Sequence, residues 1–113
     1  MQIAERTAGH VVILDLSGPI TLAKGDDRLL KDKINSLVHQ GHKNILVNMG
    51  GVTMMDSAGL GELVAAYATA TKAGGSMKLV NLTKRLHDLL SITKLVTIFD
   101  TFESEQEALA KFS

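Results

Sequence analysis

Apolar residues in this chain switch between two rhythms, short continuous or alternating runs and longer stretches spaced at a helical period. Residues 2–7 read as a weak first strand whose one strong apolar residue is Ile3. Residues 11–16, VVILDL, read as a firm second strand, ended by the turn chemistry of Ser17-Gly18-Pro19. Ala8-Gly9-His10 between them predicts a hairpin. Asp26 or Asp27 is placed to cap a helix over 27–39, with Leu29, Leu30, Ile34, Leu37 and Val38 on one face and Gly41 as its stop. Residues 44–49, NILVNM, read as a central buried strand. The spacing predicts a helix over 58–73 from Leu60, Leu63, Val64, Tyr67, Ala68 and Thr71, closed by Gly74-Gly75. SMKLVN (76–81) is the next strand. Thr83 is placed to cap a helix over 84–91, with Leu86, Leu89 and Leu90 inward. A short strand is expected near 96–99. Ser104 with Glu107 forms a capping box for a last helix, 105–112, burying Ala108, Leu109 and Phe112.

The predicted order is β-β-α-β-α-β-α-β-α, without a repeat or linker. Strands alternating with helices imply crossover connections. The expectation is a single α/β domain over residues 1–113: a central mixed, mostly parallel sheet of four to five strands, with about four helices mainly on one face. In such sheets sites gather where strands feed helices. The segment 50–57 is the longest connection of that kind and the oddest in composition.

Composition narrows the chemistry. The chain has 113 residues, 45% of them hydrophobic and spread along its length, enough for a real core. Twelve basic residues balance twelve acidic ones, which removes the electrostatic signature of a nucleic-acid binder. With no cysteine, disulfides, thiol nucleophiles and cysteine metal sites are out. No apolar run is long enough to span a membrane, and MQIAERTAGH is not read as a signal peptide. The expected location is the cytoplasm.

The distinctive segment is Asp56-Ser57-Ala58-Gly59-Leu60-Gly61, where a central strand hands over to a helix. One reading is structural: serine and aspartate are favoured N-caps, and the glycines permit close packing. The other treats Ser57 as a phosphoacceptor. A phosphate there would bring roughly −1.5 to −2 charges to a helix start that favours anions. Of the apolar pair beside it, Met54 and Met55, one is expected in the core and the other is open to an apolar docking role.

VTMMDSAGLGEL resembles the signature of anti-sigma factor antagonists of the STAS domain family. VVILDLSGPIT resembles that family's second strand. NLTKRLHDLLSITKLVTIF and SEQEAL resemble its late helix–strand segment and the start of its last helix. The resemblance covers essentially the whole chain and implies a partner switch. The unmodified protein binds an anti-sigma factor that is also a serine kinase. Phosphorylation of Ser57 releases it, and a cognate serine phosphatase resets it. The resemblance implies partner contacts at Asp56, Ser57, Ala58, Gly59 and Leu60, with Ser17, Gly18 and Thr21 from the neighbouring turn. It implies no catalytic residue, no cofactor, no metal, no direct nucleic-acid partner and no membrane insertion. Departures from the pattern are Asn48 where an aspartate is common, Met49-Gly50-Gly51 for a Leu-Ser-Gly type triplet, and Pro19 and Thr21 at positions often acidic. These changes remove negative charge around the switch.

Other chemistries fit less well. There is no Gly-x-Ser-x-Gly elbow, and His10, His39, His42 and His87 read as ordinary exposed positions rather than a base for Ser57. Asp15 and Asp56 lack the clustered acidic pair of a metal-dependent receiver. The glycines match neither a Walker nor a Rossmann pattern. The alternative is a non-enzymatic interaction subunit of a stress-signalling or lipid-transport complex.

Overall fold

The two strongest apolar runs, VVILDL and NILVNM, lie side by side inside a five-stranded sheet. The computed structural model describes residues 1–21 and 28–112. Asp26 and Asp27, read as caps of the first helix, lie outside the described residues. The elements are β1 (Gln2–Ala8), β2 (Val11–Ile20), α1 (Leu29–His39), β3 (Asn44–Met55), α2 (Ser57–Lys72), β4 (Ser76–Val80), α3 (Lys84–Ile92), β5 (Thr101–Phe102) and α4 (Glu105–Ala110). The strands stand in chain order, β1-β2-β3-β4-β5. β1 is antiparallel to β2, and every other neighbouring pair is parallel.

That order dictates the layers. Parallel crossovers are right-handed, so three successive crossovers stepping in one direction put their helices on one face. α1, α2 and α3 therefore share a face. Leu30, Ile34, Leu63, Ala66, Leu86 and Leu90 meet Val12, Leu14, Ile45, Val47, Met77 and Leu79 there. α4 is no crossover and packs on the other face, where Ala108 and Phe112 cover Val11, Ile13, Leu46 and Val80. The result is the expected α/β architecture, with helices mainly on one face. Each fully buried Leu, Ile or Val contributes roughly 1.5–3 kcal/mol. The sheet–helix layer, rather than exposed ion pairs worth about 0–1 kcal/mol each, holds the frame.

Four local readings change. The chain does not turn at Ser17-Gly18-Pro19. β2 continues to Ile20, absorbing the break in register shifts between Asp15 and Ser17 and between Gly18 and Pro19. β3 likewise runs through Gly50-Gly51 to Met55 instead of ending at residue 49, because the extended β2 gives it a partner. At Gly51 a Cβ would lie 2.6 Å from the Leu16 carbonyl oxygen, so this glycine serves close strand approach, not a loop. The segment 96–99 is not a strand. Lys94, in the left-handed region at φ 64°, leads into a single 3-10 turn at Leu95–Thr97. The apolar content is used differently: Phe99 is buried and packs edge-on against Tyr67, with ring centroids 5.1 Å apart. Finally, α2 buries Gly59, Glu62, Leu63, Ala66 and Ala70, leaving Ala68 and Thr71 exposed. Its smallest residues pack deepest, while Leu60, Val64 and Tyr67 sit half-buried at the rim.

Glu62 is the unexpected member of that face. It is 3% exposed, and its Oε1 accepts a hydrogen bond from the Lys31 backbone N–H at 2.6 Å. Arg28, the N-cap of α1, supplies no side-chain cap. The first turn of α1 is thus capped from α2, which satisfies an otherwise open amide and offsets the cost of burying the carboxylate.

Candidate functional site

β3 delivers the chain to Asp56, whose extended backbone (φ −95°, ψ −174°) makes it the N-cap of α2. Its Oδ1 accepts from the Gly59 backbone N–H at 2.8 Å, and its carbonyl accepts from Leu60 N–H at 2.9 Å. Of the two capping residues open to the sequence, the structure uses Asp56. Ser57 is the first residue of the helix proper. It is exposed, and its hydroxyl makes no hydrogen bond among the described residues.

The neighbouring strand end is pressed onto this turn. The Asp56 N–H faces the Ile20 carbonyl at 3.4 Å. A Cβ on Gly59 would fall 2.1 Å from that same carbonyl oxygen and 2.9 Å from Met55 Cγ. Only glycine fits. Gly61 is different, since a Cβ there meets nothing within 4 Å. This packing brings Ile20, near the end of β2, against the turn, whereas Ser17 and Gly18 pair with Gly51 and Val52 further back along β3. Within the group, Ser17 is exposed, and Asp56, Ala58, Leu60, Gly18 and Pro19 are half-buried. Gly59 and Thr21 are buried, Thr21 to 8% exposure, so neither offers a side chain to a partner. Of the methionine pair, Met54 is exposed and Met55 packs on the main core.

Further back along the sheet, a polar network ties β1, β2 and β3 to α4. Asp15 accepts from Arg6 Nε at 2.6 Å and Nη2 at 3.1 Å. Arg6 also engages Glu105 of α4. Asn48 Nδ2 donates to Asp15 Oδ1 at 2.7 Å. Its own Oδ1 accepts from Gly50 N–H at 3.0 Å and Asn81 Nδ2 at 3.1 Å. The Arg6 guanidinium holds the Asp15 carboxyl below its usual range; partial burial works against this, and the Asn48 bond adds to it. An amide at position 48 thus has a local reason. A carboxylate there would face Asp15 and could not donate.

Beside the turn, Met55 forms one wall of a shallow groove of about 580 Å³, completed by Lys84, Arg85, Asp88, Leu89 and Ile92 of α3. Ile92 is 80% exposed. Sequence reasoning missed this surface by taking Leu89 as inward with Leu86 and Leu90. The signal was present in the i, i+4, i+7 spacing of Arg85, Leu89 and Ile92. Glu62 was missed because nothing local marks a helical glutamate as buried.

Three of the four imidazoles are placed away from Ser57. His10, His39 and His42 lie at the ends from which β2 and β3 start, and His87 is exposed on α3. Among the described residues no group of three or more His, Cys, Asp or Glu is arranged to hold a metal. No described helix is long and apolar enough to cross a membrane.

A mostly parallel sheet in chain order, three helices on one face and a glycine-packed serine turn at the end of its central strand define a STAS domain. The chain belongs to that family, whose model, described as "STAS domain", matches residues 2–108. It is 40% identical over 72 residues to the anti-sigma-B factor antagonist of Bacillus subtilis (strain 168), covering 64% of this chain and 65% of that protein's length. Its fold is similar to that of an anti-sigma factor antagonist from Mycobacterium paratuberculosis, with TM-score 0.81 at 20% identity over 96% of this chain and 91% of that one. It is also similar to the Bacillus cell fate determinant SpoIIAA in its phosphorylated form. There the TM-score is 0.73 at 18% identity, over 99% and 100% of the two chains.

Proposed function

We propose that this protein is an anti-sigma factor antagonist working by partner switching at Ser57. The observation that carries the reading is the exposed, unbonded Ser57 hydroxyl on a turn whose capping is done by Asp56. A kinase transfers the γ-phosphoryl group of ATP to Ser57 Oγ. The hydroxyl proton leaves and ADP is released. Because the cap does not use Ser57, the modification breaks no hydrogen bond within the fold. The new dianion meets the positive end of α2, an interaction worth about 0.3–1 kcal/mol at an exposed site. The modified protein stays folded and changes its surface instead, by charge, bulk and loss of a donor. Unmodified, the turn binds an anti-sigma factor with serine kinase activity and frees the sigma factor. Phosphorylated, it lets go, and a serine phosphatase restores it by hydrolysis. The likeness to the Bacillus subtilis antagonist and to a relative solved in a phosphorylated form supports this reading.

The test is phosphosite mapping on protein from its native cells, with partners captured by the Ser57→Ala form. A single phosphate at Ser57 and capture of a serine kinase of the anti-sigma type are expected. An unmodified Ser57 in growing and stressed cultures, with capture of a membrane or lipid-transport assembly, would replace this reading by a constitutive interaction subunit.

A further inference from the structure

We propose that the groove between Met55 and α3 receives an amphipathic helix of the partner, with the partner's carboxylates over Lys84 and Arg85; this rests on the partner-switch reading above. Arg85, Asp88, Leu89 and Ile92 form a stripe of α3 that flanks the buried Leu86 and Leu90, with Leu89 half-buried at its edge. A stripe of that period is matched by another helix laid along it. Ile92, at 80% exposure, is the most exposed large apolar side chain among the described residues, and it ends this stripe.

Charge selects the occupant. Lys84 and Arg85 make no ion pair or hydrogen bond among the described residues, and Asp88 is the only anion in the lining. A second copy of this chain fits poorly. An antiparallel pairing that stacks Leu89 on the copy's Ile92 overlaps only the last turn, residues 89–92, because α3 ends at Ile92, and it leaves Lys84 and Arg85 uncovered. A parallel pairing sets the cations against themselves. A partner helix with acidic residues fits both the apolar strip and the cations.

The groove is also coupled to the switch. Met55, one wall of the groove, lies two residues before Ser57, so a phosphate there adds negative charge at the Met55 side of the groove. Like charges in a partly desolvated contact repel. The partner that the cations attract is the partner the phosphate expels.

The experiment places a photo-crosslinker, p-benzoylphenylalanine, at position 92 in the native cells, with a control at the exposed Ala110 on the other face. Position 92 is expected to trap an acidic amphipathic segment of a kinase-type anti-sigma factor, and position 110 is not. Lys84→Glu with Arg85→Glu should lower the yield at least tenfold, and Ser57→Asp should lower it as well. No adduct at 92, an adduct with a second copy, a trapped peptide without carboxylates, or a yield indifferent to the charge reversal each overturns the groove. If Ser57 carries phosphate and Ser57→Ala captures the kinase while position 92 stays silent, the switch stands and the groove falls. If position 92 traps an acidic helix whose yield ignores Ser57→Asp, the groove stands and the switch falls.

Discussion

Glu62 and Lys31 are joined across two helices, the buried carboxylate of α2 accepting from the first-turn amide of α1 at 2.6 Å. The bond makes the helix that carries Ser57 part of one unit with its neighbour. Glu62→Ala removes the acceptor of the part-buried Lys31 amide and should destabilise the fold by about 1–3 kcal/mol. Glu62→Gln keeps an acceptor and should lose less. Urea unfolding of both variants decides the order.

Asp56→Ala removes the cap of α2 and should lose about 0.5–2 kcal/mol. Asp56→Asn or Asp56→Ser should recover most of it. Ser57→Ala should leave stability within about 0.5 kcal/mol, as a surface substitution does. Thermal melts of the set separate the two residues' roles.

The two glycines of the turn should respond oppositely to a methyl group. Gly59→Ala drives a Cβ into the Ile20 carbonyl at 2.1 Å and should destabilise by about 1–3 kcal/mol or more. Gly61→Ala meets open space on a helix and should stabilise by about 0.5–1 kcal/mol. Unfolding midpoints of the pair report the difference in sign.

Asp15 carries a pH dependence. Its carboxyl is held below the ordinary value by Arg6. Its contribution to stability is therefore complete above the unfolded-state value of 3.8 and is lost as pH falls through the lower folded value. Asp15→Asn should flatten stability against pH below about 4. Asn48→Asp should act the other way at neutral pH, setting two carboxylates together. It should destabilise at pH 7 and recover part of the loss near pH 5. Denaturation at a series of pH values checks both slopes.

Ser57→Asp should fold like the parent and bind the captured kinase at least tenfold more weakly, whereas Ser57→Ala should bind and resist modification. Calorimetric titration measures both, and tight binding by Ser57→Asp would sink the charge mechanism.

Most of the frame was readable before the structure. The continuous runs VVILDL and NILVNM had to be inner strands, and the caps expected at Thr83 and Ser104 accept from Leu86 and Glu107 as their spacing implies. What could not be read depended on contacts distant in sequence. Gly50-Gly51 looks like a breaker until an extended β2 lies beside it. The apolar residues of 96–99 look like a strand until Tyr67 offers Phe99 a ring to pack on. Asp56 and Ser57 are both good caps, and local chemistry does not choose between them. Glu62 is identical in type to a solvated helical glutamate; what sets it apart is the Lys31 amide that it meets across the helix pair.

The borders of the sheet bear on how this molecule behaves among its own copies. On one side β5 offers two residues of backbone. On the other, β1 carries Glu5, paired with Lys33, and Arg6, held by Asp15 and Glu105. Short or charged edge strands make poor templates for strand addition. Neither border of the sheet thus invites the strand of another copy, and both leave the Ser57 hydroxyl, at the far end of β3, clear of the sheet edges.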